Sequence, residues 1–206
     1  MTTSTVLYFL AASVALTIAP GPDNIFVLTQ GITRGKKTAI ITALGMCSGI
    51  SVHTVAAACG ISAVFYSSVL AFNLVKYAGA AYLLYLAFMT LKHRSSLRLS
   101  TPDNRNYLDL YKRGFVMNVL NPKVAMFFLA FLPQFVSPTT EHFVFQMLFL
   151  GLIFMLQALV IFCLIGYFSG FIGSYIMSKP KIAQYFDWLT AGVFASLGIR
   201  LAFAER

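Results

Sequence analysis

The chain has few charged residues, and acidic residues are the scarcest of all. Of its 206 residues only 10% are charged, with 6 acidic side chains against 15 Lys and Arg. Soluble domains carry about 25% charged residues. A soluble globular fold is therefore excluded as the leading interpretation. Intrinsic disorder is excluded too, because disordered chains have low hydrophobicity.

Cysteine and enzymatic motifs are scarce as well. Cys47, Cys59 and Cys163 lie inside apolar runs, and their spacing matches neither a metal-binding pattern nor a CxxC pair. We interpret them as small packing residues. The sequence also lacks a phosphate-binding loop, a dinucleotide fingerprint and an HExxH pattern. We therefore predict no cofactor, no metal and no enzymatic activity.

Apolar residues, in contrast, make up 59% of the chain, at a mean hydropathy of +0.80. A helix needs about 20 residues to cross a hydrocarbon core of about 30 Å. The apolar runs predict six such helices, at 4–33, 38–66, 69–91, 114–135, 143–173 and 182–203. The first twenty residues contain no Lys or Arg, so we interpret this stretch as a span and not as a signal peptide. The fold class predicted is an all-α membrane protein, with one transmembrane domain over 1–206.

The basic residues lie in alternate connections between these helices. Eleven of the 15 Lys and Arg lie in the first, third and fifth connections, and the second and fourth have none. Basic loops face the cytoplasm, so both termini are expected outside. The net charge of +9 is then mostly a topology signal, with contact to the lipid bilayer expected. No nucleic-acid partner is predicted, because that needs an exposed basic domain.

Short sequence correspondences suggest an internal repeat. The matched positions, in order, are Pro22 with Pro122, Leu44-Gly45 with Leu150-Gly151, and Ala78-Gly79 with Ala191-Gly192. They predict two three-helix repeats, over 1–91 and 113–206, joined by a basic linker at 92–112. Because three spans is an odd number, the repeats must be inverted relative to each other. Inverted repeats with broken helices are typical of secondary transporters.

Proline and glycine break the first and fourth predicted helices. The breaks are Pro20-Gly21-Pro22-Asp23-Asn24 and Asn121-Pro122-Lys123. Counted from the nearest basic loop, Asp23 and Lys123 each lie about 15 Å deep, near the membrane midplane. Charges at that depth pair or face water. We predict that this acid and base face one central cavity, paired directly or through substrate; the alternative is a simple proline kink with an N-cap.

Five further polar residues are candidates for the substrate path. Asn118 lies three residues before Asn121, so the two share a helical face near the second break. Gln30 and Gln157 either line the path or bond between helices. His53 is a candidate for proton coupling, against the alternative of a packed, hydrogen-bonded ring.

Two glycine pairs at helical spacing are Gly45-x-x-x-Gly49 and Gly166-x-x-x-Gly170. Such pairs let helices approach closely, either inside one chain or across a homo-oligomer contact. We expect the contact inside one chain and leave the homo-oligomer as the alternative.

At several of these residues the chain resembles the LysE/RhtB family of bacterial amino-acid exporters. The resemblance rests on the first break with Gly31 and Gly35, on the segment 76–86 (KYAGAAYLLYL), and on 118–123 (NVLNPK) with 131–135 (FLPQF). It implies a six-helix inner-membrane exporter of amino acids or close derivatives, exchanging substrate for protons. It does not fix which amino acid is carried.

Both lines of reasoning lead to a zwitterionic substrate. Its carboxylate is expected at the helix start near Asn24 or on Lys123, because helix N-termini suit anions. Its ammonium group is expected on Asp23 or on carbonyls released by the breaks. The alternatives are an exporter of metal cations or other small solutes, a thiol enzyme, and a scaffold subunit. One acid beside a lysine is a poor cation site.

Overall fold

All regular structure in the described part of the chain is helical, as the composition predicts. The computed structural model describes residues 1–19, 21–67, 69–92, 106–136, 142–178 and 180–203. The α-helices in these ranges are α1 (Thr3–Ile18), α2 (Pro22–Arg34), α3 (Lys36–Ser67), α4 (Val69–Lys92), α5 (Tyr107–Val119), α6 (Pro122–Met126), α7 (Phe143–Tyr167), α8 (Ser169–Ser178) and α9 (Pro180–Ala202). After α6 the chain continues as a π-helix, Phe127–Phe131, and a 3₁₀-helix, Leu132–Phe135.

Both helix breaks occur where the sequence predicts them, but in each the helix resumes at an earlier residue than predicted. α1 and α2 meet at 57°, and α5 meets the segment Pro122–Phe135 at 46°. The chain becomes helical again at Pro22 and Pro122, because proline fits the first helical position, where no amide donor is needed. Asp23, Asn24 and Lys123 therefore lie in the first turn of a helix and not in the gap. Pro20, assigned to the first break, lies outside the described residues.

Two helix boundaries expected from the apolar runs are wrong. The fourth helix begins at Tyr107, because the Asn106 side chain accepts the Asp109 amide at 2.9 Å and caps it. The last residues of the predicted linker are thus helical, while 93–105 lie outside the described residues. The fifth helix ends at Tyr167 and a separate helix, α8, follows.

Length and composition allow two helical stretches to cross a membrane singly, Lys36–Gly60 and Phe143–Tyr167. The number rises to four if each bent pair, α1 with α2 and α5 with Pro122–Phe135, forms one span. Both numbers refer only to the residues that the structure describes. The count of six spans stays a prediction.

Close helix packing around α3 holds the two breaks together. α3 packs against α2, α5 and α7, α4 packs against α9, and α1 packs against α7. A Cβ on Gly45 would overlap the Tyr111 carbonyl of α5, and one on Gly114 would lie 2.5 Å from the Thr42 carbonyl of α3. The expected role of Gly45 and Gly49 in packing inside the chain is confirmed.

Phenylalanine fills the core beside the second break. The buried rings that contact one another are Phe9, Phe127, Phe128, Phe131, Phe135 and Phe154. Large apolar side chains also cover the outside, with Leu7 of α1 and Phe145 of α7 exposed by 60% and 70%. An apolar exterior of this kind suits contact with lipid.

Candidate transport site

The first break leaves the carbonyls at the end of α1 facing the start of α2. Asn24 bridges the gap, because its Nδ2 donates to the Thr17 carbonyl at 3.0 Å and to the Ile18 carbonyl at 3.1 Å. The last carbonyls of a helix have no partner inside it. Asn24 thus supplies donors that the kinked backbone cannot.

The second break is organised by Asn121, which caps α6. Its Oδ1 accepts the Lys123 backbone amide at 3.0 Å, and its backbone N–H donates to the Asn118 carbonyl at 2.9 Å. The side chain therefore has its amide nitrogen left for another partner. That nitrogen points away from α6 toward the first break.

The two breaks contact each other in both directions. Asn121 Nδ2 donates to Asp23 Oδ1 at 2.5 Å. In return, Lys123 Nζ donates to the Leu16 and Ala19 carbonyls at 3.4 and 3.3 Å. A cation is stabilised at the C-terminal end of a helix and an anion at its N-terminal end. Each charge therefore lies where the local helix end favours it.

Asp23 and Lys123 are both buried, at 2% and 6% exposure. The structure brings this predicted acid and base to one place, but no ion pair within 4 Å joins them. Each is bonded instead to the opposite break, Asp23 to an amide and Lys123 to carbonyls. A buried charge costs several kcal/mol without partners, and these bonds offset that cost for both groups.

The other predicted residues fall into two groups. Asn118 is 1% exposed, and its carbonyl accepts from His53 Nε2 at 2.9 Å, so His53 is a packed and hydrogen-bonded ring. Gln157 Nε2 donates to Thr17 Oγ1 at 2.9 Å, between α7 and α1. Gln30 is 4% exposed and its Oε1 has no hydrogen-bond partner. The structure therefore gathers Asn118, His53 and Gln157 around the breaks; among the described residues, no hydrogen bond joins Gln30 to them.

Thr17 is the residue of this site that sequence reasoning missed. Its hydroxyl and its carbonyl hold amides from two other helices. A threonine within the last turn before a proline–glycine break, in an otherwise apolar run, was the available signal. Gly21, which was predicted as part of the first break, has a further role: a Cβ there would lie 3.1 Å from Lys123 Nζ, so glycine leaves room for the ammonium group.

In chemical terms the breaks offer one buried acid, one buried base and several amides, which are buried or half-buried between α1, α2, α6 and α7. Within the described ranges, no group of three or more His, Cys, Asp or Glu could hold a metal ion. Such a set of donors and acceptors can recognise a small zwitterion or exchange a proton.

Comparison with known proteins gives a consistent result. A family profile described as "LysE type translocator" matches residues 14–205. The chain is 32% identical over 203 residues to a Vibrio cholerae protein named only as an uncharacterized membrane protein, with 97% of each chain covered. It is 28% identical over 207 residues to the leucine efflux protein of Salmonella typhimurium, covering 94% of this chain and 92% of that relative. No solved structure matches the chain.

Proposed function

The chain belongs to the LysE type translocator family, and from this membership we propose that it exports amino acids or close derivatives across the bacterial inner membrane. It is an integral membrane protein of a translocator family and not of an enzyme family. The observation that carries the proposal is the two-way contact between the breaks, Asp23 with Asn121 and Lys123 with the α1 carbonyls. The efflux of leucine named for relatives supports an amino acid as the substrate.

We further propose six spans arranged as two inverted three-helix repeats. Three contacts support this arrangement, because each joins an element of one repeat to its counterpart in the other. The first break meets the second, α3 packs on α7, and α4 packs on α9. Counterparts that meet in this way are expected near a two-fold axis in the membrane plane.

In the mechanism that we propose, substrate loosens the contact between the repeats. The carboxylate of an amino acid binds Lys123, whose ammonium is then released from the Leu16 and Ala19 carbonyls. The start of α2, the other position expected for the carboxylate, already holds the acidic side chain of Asp23 in its first turn, so Lys123 is the position that we propose. With fewer bonds between the breaks, one repeat rocks against the other and exposes the site to the opposite side.

Proton antiport completes the proposal. A charged acceptor makes a hydrogen bond roughly twice as strong as a neutral one. Protonation of Asp23 from outside would therefore weaken its bond to Asn121, and release of that proton inside would restore it. Proton entry and substrate exit are thus coupled because each loosens one of the two sets of bonds between the breaks.

The basic loops are proposed to face the cytoplasm, with both termini outside. Lys36 and Lys37 at the start of α3, and Lys112 and Arg113 in α5, support this orientation. We expect activity from a C-terminal fusion to a reporter that works only outside the cytoplasm. An inactive reporter at that position, and an active one inserted after Gly35, would reverse the orientation.

Counterflow in proteoliposomes tests the proposed function. Vesicles with purified protein are loaded with labelled leucine, threonine, lysine and arginine, and exit is followed with and without a pH gradient. We expect selective exit of one or a few amino acids, faster when protons can enter in exchange. Exit of none, from protein that is folded and inserted, would overturn amino-acid export and favour metal cations or other solutes. Exit without any effect of the gradient would overturn proton antiport alone.

A further inference from the structure

Three helices meet at Thr17, near the end of α1. Gln157 of α7 donates from Nε2 to the Thr17 hydroxyl at 2.9 Å. Asn24 of α2 donates from Nδ2 to the Thr17 carbonyl at 3.0 Å. One residue thus anchors two amide side chains from different helices, one on its hydroxyl and one on its carbonyl.

The partners of each amide determine which end is nitrogen and which is oxygen. The Thr17 hydroxyl donates to the Ser13 carbonyl at 2.8 Å, so it can only accept from Gln157. The partners of Asn24 are two carbonyl oxygens, which also only accept. Both contacts therefore require the amide nitrogen, and both amide oxygens must point elsewhere.

These two oxygens are buried and unsatisfied. Asn24 Oδ1 and Gln157 Oε1 have no hydrogen-bond partner, and solvent does not reach either atom. Leaving a buried acceptor without a donor costs about 1–3 kcal/mol. Each of these two acceptors therefore lacks a donor that a ligand could bring.

The neighbouring carbonyls are already engaged by the protein itself. Those of Leu16 and Ala19 accept from Lys123, and those of Thr17 and Ile18 accept from Asn24. The carbonyls released by the first break thus have donors from this chain. At the Thr17 anchor, the two amide oxygens are the acceptors that no donor among the described residues reaches.

We propose that Asn24 Oδ1 and Gln157 Oε1 bind the α-ammonium group of the transported amino acid. An ammonium group has three N–H donors and no acceptor, which fits a site made only of acceptors. The carboxylate of the same molecule would lie toward Lys123, across the break from Asn24. This inference rests on the proposed function and names the residues that read one end of the substrate.

The test compares leucine with 4-methylpentanoate, which has the same carbon skeleton but no amino group. Each compound is used unlabelled to inhibit counterflow of labelled leucine. The half-inhibitory concentration of 4-methylpentanoate divided by that of leucine then measures recognition of the ammonium group. In Gln157→Met we expect this ratio to fall about tenfold, as for loss of one hydrogen bond to a charged donor.

Gln134→Met is the matched control, because the Gln134 amide donates to the Ala130 carbonyl at 2.9 Å, outside the Thr17 site. It should leave the ratio unchanged. If Gln157→Met does not insert into membranes, Thr17→Val replaces it. That change keeps the residue's shape and removes the hydroxyl that anchors Gln157, so the ratio should also fall.

An unchanged ratio in Gln157→Met and in Thr17→Val would overturn this inference, while counterflow by the wild type would still support amino-acid export. Sodium provides a second arm, since an inorganic cation also binds oxygen atoms. If counterflow requires sodium, and Gln157→Met needs a higher sodium concentration while the ratio is unchanged, the oxygens would be assigned to that cation instead. Absence of wild-type counterflow with every amino acid would overturn both proposals.

Discussion

Asn121 donates a hydrogen bond to Asp23 across 98 positions of sequence, and it does so with the same side chain that caps α6. The amide therefore has two roles at once. Its oxygen begins the helix after the second break, and its nitrogen binds the acid of the first. The conformation of one break and the charge of the other are linked through a single side chain.

Asp23→Asn should abolish export while membrane insertion stays intact. The new amide keeps an oxygen for Asn121 at nearly the same volume, so packing is retained and only the charge is lost. Counterflow of labelled amino acid and the amount of protein in membranes measure the two properties. Asp109→Asn is the control, since Asp109 lies in the first turn of α5, away from the breaks. Normal export by Asp23→Asn would remove this carboxylate from the mechanism.

Lys123→Met should also abolish export, and it should lower the thermal unfolding midpoint in detergent. Methionine keeps the length of the chain but has no donor for the Leu16 and Ala19 carbonyls. Each buried carbonyl left without a partner costs about 1–3 kcal/mol. Lys112→Met removes an exposed cation from α5 and should change neither property. A Lys123→Met protein that exports normally would refute the assigned role of the ammonium group.

Gly45→Ala should destabilise the protein by about 1–3 kcal/mol, as overpacking does in cores. The added methyl group would overlap the Tyr111 carbonyl, and α3 and α5 would have to separate. Gly192→Ala is the control, because nothing lies within 4 Å of the position that its Cβ would take. The measurement is the unfolding midpoint of each variant. Equal midpoints for Gly45→Ala and Gly192→Ala would contradict the close approach of the two helices.

His53→Gln should keep the pH dependence of counterflow. The ring donates from Nε2 to the Asn118 carbonyl, and a glutamine amide can donate to that carbonyl too. Since this role is structural, replacement by a residue that does not titrate should leave the shape of the profile unchanged. A profile that becomes flat in His53→Gln, with export retained, would transfer the proton-carrying role to His53.

The breaks were predictable because proline and glycine act on their own backbone. Pro22 and Pro122 each start a helix, and the only error was to place the charged residues in the gap. The start of α5 was also within reach, since Asn106 stands three residues before an acidic residue in a pattern typical of helix caps. Local chemistry of this kind leaves a trace in the sequence.

The partners of the charged residues were not predictable in the same way. Opposite charges at one depth suggested an Asp23–Lys123 pair, but helix ends also present carbonyls and amides with no internal partner. These groups compete for the charges, and only the packing of α1 against the second break decides which partner is in reach. The role of Thr17 was missed for the same reason, because its hydrogen bonds come from side chains of α2 and α7.

The π-helix Phe127–Phe131 has a mechanical consequence. Each of its hydrogen bonds spans one residue more than in an α-helix, and each residue of an α-helix turns the chain by about 100°. Rewinding this segment as regular α-helix would rotate everything beyond it by about that angle relative to the break. Phe135, whose ring lies 5.3 Å from that of Phe9 in α1, would then face another direction. The π-helical conformation of these five residues therefore determines the direction in which Phe135 faces relative to the second break.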